Sequence, residues 1–143
     1  MTLSATDDLA GILQFASSLD IQHIELWAHN CPTDGGQLHR YAFQGVDLVS
    51  TKKVLREHNA AVCCVAFGCG FDPVISSQQE TITTELIRAI EVAAELGAPL
   101  VNHYCGYIQN GDGLEVNLLK RYWETAVVRA ESLAVTLSLE NEA

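Results

Sequence analysis

Residues Ile82–Cys105 read ITTELIRAIEVAAELGAPLVNHYC. The apolar residues Ile82, Leu86, Ala89, Ile90, Ala93 and Leu96 recur at helical spacing, while Glu85, Arg88, Glu91 and Glu95 fall mostly outside that stripe. Gly97 stands where a helix needs a residue at positive φ to stop, and Pro99 bars continuation. Pro99–Cys105 then changes to an apolar run that reads as a strand. A helix, a brief stop and a strand form the unit on which the fold turns.

The same unit recurs on both sides. Asp7–Leu19 carries Leu9, Ile12, Leu13, Ala16 and Leu19 at helical spacing, with Ser4-x-x-Asp7 as a capping box, and leads to a strand over His23–Ala28. Val46–His58, with Leu48, Thr51, Lys52 and Leu55 along one side, leads to Ala61–Phe67. That second run is continuously apolar, as in a strand covered on both faces. Leu119, Trp123, Ala126, Val127, Ala130 and Leu133 mark a last helix before the alternating Val135–Glu140.

The strands begin near 23, 61, 99 and 135, at spacings of 38, 38 and 36 residues. One helix and one strand per near-constant period predict βαβ crossovers and a parallel sheet. Connections from helix to strand are short; those from strand to helix, His29–Gly45, Gly68–Gln79 and Cys105–Gly113, are long. In α/β folds the site lies at the carboxyl ends of the strands, where such long loops gather. Their glycine-rich pieces, Asp34-Gly35-Gly36, Gly68-Cys69-Gly70 and Gly111-Asp112-Gly113, match neither phosphate-loop pattern and are expected to serve turns.

Composition narrows the function classes. The 143 residues make one domain, 1–143, with 48% hydrophobic and 18% charged residues, enough apolar material for a core. Eight Lys+Arg against 18 Asp+Glu give a net charge of −10, which argues against a nucleic-acid partner. No apolar run approaches the roughly 18 residues of a membrane span, so no membrane partner is expected. The first eight residues have neither the basic nor the apolar part of a secretory signal. Five cysteines without a CxxC pair fit a reducing compartment, and a cytoplasmic location is expected. Cys63 and Cys64 alternate in their strand; Cys64, Cys69 and Cys105 could meet as soft metal ligands, although buried free thiols are the plainer reading.

Periodicity leaves a doubly wound sheet and a (β/α)8 barrel open. The segments Ile24-Glu25-Leu26-Trp27-Ala28-His29, Ala93-Ala94-Glu95-Leu96-Gly97-Ala98-Pro99 and Thr136-Leu137-Ser138-Leu139-Glu140-Asn141 resemble, in order and spacing, the sugar phosphate isomerase/epimerase family. These are xylose isomerase-like TIM barrels, a superfamily that also holds apurinic endonucleases, inosose dehydratases and hydroxypyruvate isomerases. The resemblance covers essentially the whole chain and implies strands two to five of a parallel barrel. A complete barrel takes about 250 residues. Four strands cannot close it, so either a longer gene product supplies the rest or copies associate as a homo-oligomer.

Taken alone, Glu140 reads equally as a solvated carboxylate or as a functional group that shares a face with Thr136 and Ser138. The resemblance assigns it to a divalent metal and to acid/base proton transfer. Mn²⁺ or Mg²⁺ is the expected cation, with Zn²⁺ or Co²⁺ next, because carboxylate oxygen suits hard ions. The expected substrate is a sugar or sugar phosphate. Trp27 and His29 alternate with Glu25 and are expected to share the inner face, Trp27 stacking on a sugar ring and Glu25 or His29 bonding hydroxyls. Tyr104 occupies the position where related proteins carry a histidine and is the fourth substrate-binding candidate. His103, displaced by one residue, is expected to pack rather than ligate. His23, His39 and His58 are expected at the surface. Three functions compete: metal-assisted isomerisation or epimerisation next to a carbonyl, with an inosose-type dehydratase as a variant; an apurinic endonuclease, disfavoured by Phe67 and the charge; and a non-catalytic half-barrel or binding module.

Overall fold

A computed structural model describes residues 8–33, 35–36, 38–68, 76–104 and 116–140, without the side chains of 76–79, 116–119 and 121–122. Eight elements alternate along it: α1 (Leu9–Ser18), β1 (His23–Trp27), α2 (Leu48–Glu57), β2 (Ala61–Gly68), α3 (Ser76–Leu96), β3 (Leu100–Tyr104), α4 (Val116–Ser132) and β4 (Thr136–Glu140). All four strands pair in parallel in the order β1-β2-β3-β4. This is half of a (β/α) barrel: the repeat predicts the parallel sheet, and the family resemblance implies the half-barrel.

Each helix ends in the same way, and that explains the short connections. After α3, the N–H groups of Gly97 and Ala98 donate to the carbonyls of Ala94 and Ala93, with Gly97 at φ 74°. This is the Schellman arrangement. Asp20 (φ 58°), Asn59 (φ 51°) and Ala134 (φ 55°) repeat it after α1, α2 and α4. Only the glycine announces such a turn in sequence, because the other three residues pay a steric cost at positive φ. The starts of α1 and α2 are capped by aspartates. Asp8 accepts from the Gly11 N–H at 2.8 Å, and Asp47 accepts from the N–H groups of Val49 and Ser50. The expected Ser4/Asp7 box lies outside the described residues.

The two faces of the sheet differ in chemistry. Ile24, Leu26, Val65, Phe67, Val101 and His103 lie under the helices, joined by Leu13, Leu86, Ala89 and Ile90. The helix layer is laced by Arg129, which donates to Glu91 from Nη2 at 2.7 Å and from Nε at 3.1 Å. The other face carries Glu25, Trp27, Cys64, Asn102, Tyr104, Ser138 and Glu140, and corresponds to the barrel interior. One irregularity sets this partition. Ile24 pairs with Val62 but Glu25 with Cys64, so Cys63 is an extra residue, and the simple alternation of the two cysteines is broken there. The bulge keeps Val62 and Val65 both opposite core positions, although they are three residues apart.

Candidate functional site

The inner face gathers four candidate site residues, Glu25, Trp27, Tyr104 and Glu140, with Asn102, which sequence reasoning passed over. Register brings Tyr104 opposite Glu140 and Asn102 opposite Ser138. Asn102 Nδ2 donates to Glu140 Oε2 at 2.6 Å, which holds the carboxylate at the carboxyl end of β4. One carboxylate oxygen is thereby engaged by an amide. The sequence signal for Asn102 was its parity with Tyr104, but the pairing to β4 cannot be read from either strand alone.

Trp27, at the carboxyl end of β1, spans β2 and stacks on Tyr104 of β3, with ring centroids 5.2 Å apart and planes 28° apart. The intervening residue is Gly68. A Cβ there would stand 2.8 Å from Trp27 Cζ3, so the indole lies where any side chain on Gly68 would be. The expectation that Gly68 serves a turn is corrected: it is the last residue of β2, has no positive φ, and admits a close approach. Gly36 (φ 105°) does match a turn role, whereas Gly70, Gly111 and Gly113 lie outside the described residues.

Glu25 accepts from Trp27 Nε1 at 3.1 Å, which orients both groups. Cys64 lies opposite Glu25, and its thiol is pushed up to about 11 by burial first and by the Glu25 charge next. A thiol held protonated at neutral pH is a poor metal ligand. Cys69 and Cys105, its proposed co-ligands, lie outside the described residues.

His29 departs from expectation. β1 ends at Trp27, and Ala28–Asn30 form a 3₁₀ turn, so His29 does not continue the alternation. The turn nonetheless leaves its ring 5.9 Å from that of Trp27. Its pKa is lowered, chiefly by burial and then by the positive charges of Arg40 and His39. His103 faces the helices, as its displaced register predicts. It is fully buried, lies edge-on to Phe67 and Trp123, and donates from Nδ1 to the Phe67 carbonyl at 3.3 Å.

Polar residues gather on the concave side of the half-barrel, at the carboxyl ends of its strands, where (β/α) barrels place their sites. A family model described as xylose isomerase-like TIM barrel matches residues 13–143. The chain belongs to the xylose isomerase-like TIM barrel family. No curated protein matches it in sequence. Among solved structures, a sugar phosphate isomerase/epimerase from Parabacteroides distasonis ATCC 8503 superposes with a TM-score of 0.63 at 13% identity, over 94% of this chain and 46% of its own. A xylose isomerase-like TIM barrel protein from Mycobacterium smegmatis, in complex with magnesium, gives 0.58 at 18%, over 94% and 48%. A D-allulose 3-epimerase from a Methylomonas species, in complex with D-allulose, gives 0.56 at 17%, over 91% and 44%. The chain therefore spans about half the length of the xylose isomerase-like barrels it matches.

A metal can be tested against the side chains present. Glu140 offers one hard oxygen donor beside the amide of Asn102. Among the described residues no group of three or more His, Cys, Asp or Glu is placed to hold an ion. These residues alone do not make a metal centre.

Proposed function

We propose that this chain carries part of the site of a sugar or sugar-phosphate isomerase or epimerase that moves a proton at the carbon next to a carbonyl. The observation that carries the reading is the Glu140 carboxylate, fixed by Asn102 on the same inner face as the Trp27–Tyr104 stack. Stacked aromatic faces suit the C–H surface of a sugar, with Glu25 and His29 at hand for its hydroxyls. Glu140 takes the proton as the C–H electron pair moves toward the carbonyl oxygen. Returning the proton to the neighbouring carbon, while the hydroxyl proton passes between the two oxygens, isomerises the sugar; epimerisation takes a second acid, outside the described residues, that delivers a proton to the opposite face.

Glu140 is also one ligand of a divalent cation, Mn²⁺ or Mg²⁺, with its other ligands outside the described residues. Such a cation supplies charge stabilisation for an oxyanion. The strand edges of β1 and β4 are covered in the working protein, by further chain or by a second copy in a homo-oligomer. Three free cysteines, Cys31, Cys63 and Cys64, support a reducing compartment such as the cytoplasm.

The test is wash-in of solvent deuterium into a panel of ketoses, aldoses and their phosphates, followed by NMR with Mn²⁺ or Mg²⁺ present. Exchange that falls by about 10²–10⁴-fold in Glu140→Gln supports the reading. Exchange that is unchanged in the variant overturns it, and no exchange with any sugar favours the non-catalytic half-barrel.

A further inference from the structure

The mouth of β1 holds a cation that the chemistry above does not use. Arg40, in the connection between β1 and α2, has its Cζ 5.4 Å from the centroid of the Trp27 ring. Lys52, Lys53, Arg88 and Arg129 each meet a carboxylate of the helix layer. Arg40 forms no ion pair with any described residue, although acids outnumber bases 18 to 8 in this chain. Two other described cations also lack one, but they lie elsewhere. Arg56 borders the opposite end of the sheet with Gln22 and His23, and Lys120 borders the outer groove of α4 and β4. Among the described residues, Arg40 is the unmatched cation at the carboxyl ends of the strands.

A second observation concerns the same corner. His39 adjoins Arg40 in the chain and packs against Tyr41 in a tilted arrangement, with centroids 4.4 Å and planes 55° apart. The Arg40 charge acts on His29, whose ring lies beside Trp27. The acidic chain thus keeps a guanidinium beside its aromatic pair. Contact with the face of the half-buried Trp27 leaves the N–H edge of the exposed Arg40 open for two parallel bonds to an anion.

We propose that Arg40 recognises an anionic group on the ligand of this site, so that its substrates are sugars bearing a phosphate monoester or a carboxylate rather than neutral sugars. The inference rests on the sugar-site reading and narrows its substrate class. The sugar ring lies beside the Trp27–Tyr104 pair on the inner face, and the anionic end reaches the guanidinium over Trp27. Phosphate and carboxylate share the bidentate geometry, so the experiment separates them.

The Trp27 indole N–H resonance reports binding directly, because that group sits between the platform and Glu25. The intact chain is titrated with ribose, ribose 5-phosphate, ribonate and inorganic phosphate, beside Arg40→Gln and Arg40→Lys. Arg40 is exposed, and an unchanged amide spectrum verifies that the variants fold. At least one anionic sugar should bind about tenfold or more tightly than ribose, as expected for a charged hydrogen-bonded pair. The preferred one identifies the anion. Arg40→Gln should bring the anionic sugar and ribose to equal affinity when both are measured on the variant, and Arg40→Lys should keep part of the preference. Equal affinity for ribose and both anionic sugars, or a preference that survives Arg40→Gln, overturns the inference and leaves the sugar site standing. An Arg40-dependent response to inorganic phosphate with none to any sugar keeps the anion site and overturns the sugar reading. Silence toward every probe overturns both.

Discussion

Replacing His103 by leucine should change how stability responds to acid, and the size of the change follows from where the imidazole sits. The ring is fully buried between Phe67 and Trp123, and its pKa is lowered to about 4 from 6.5. Burial is the main cause; the hydrogen bond to the Phe67 carbonyl opposes it. Above pH 6.5 the ring is neutral in the folded and unfolded chains, and its titration contributes nothing. As pH falls below 6.5 the unfolded chain takes up a proton that the folded chain refuses, so stability drops. The drop ends near pH 4, where the folded form also accepts the proton. At about 1.4 kcal/mol per unit, the loss comes to about 3 kcal/mol. That is a large part of the 5–15 kcal/mol typical of a domain. Urea unfolding of the wild type and His103→Leu from pH 7 to pH 4 reads it out. Carboxylate contributions common to both proteins cancel in their difference. The stability of the wild type relative to the variant should fall by about 3 kcal/mol over that range. A difference independent of pH would refute the burial argument.

Two further substitutions probe the platform and the helix stops. Gly68→Ala puts a Cβ 2.8 Å from the Trp27 ring and should displace it from Tyr104. The expected stability loss is about 1–2 kcal/mol, with loss of the near-ultraviolet circular dichroism of the stacked pair; an unaltered spectrum would contradict the close approach. Ala134→Gly relieves a non-glycine residue held at φ 55° and should stabilise the chain by about 1 kcal/mol in urea unfolding, whereas a lowered midpoint would show that the turn is not strained.

The period made the parallel sheet and its order of elements legible in sequence. The buried stripe of α3 and the Gly97 stop also read correctly, because each is a local signal. The bulge at Cys63 was not legible, since it depends on which residues of β1 lie opposite β2. The same limit hid the bond from Asn102 to Glu140 and the role of Gly68, both of which arise between strands. His29 misled the alternation because the chain turns immediately after Trp27. Residues far apart in sequence meet through register, and register is a property of pairs.

The central claim, that Glu140 marks a cation-binding and proton-transfer site on the inner face, is tested most directly by paramagnetic broadening with Mn²⁺. The method detects even weak binding, which a partial ligand set would give. The account predicts that substoichiometric Mn²⁺ broadens the amide resonances of Tyr104 and Glu140 first, and that Glu140→Gln abolishes this. Broadening centred on the acidic surface of α3, or broadening at Glu140 that persists in Glu140→Gln, would contradict it.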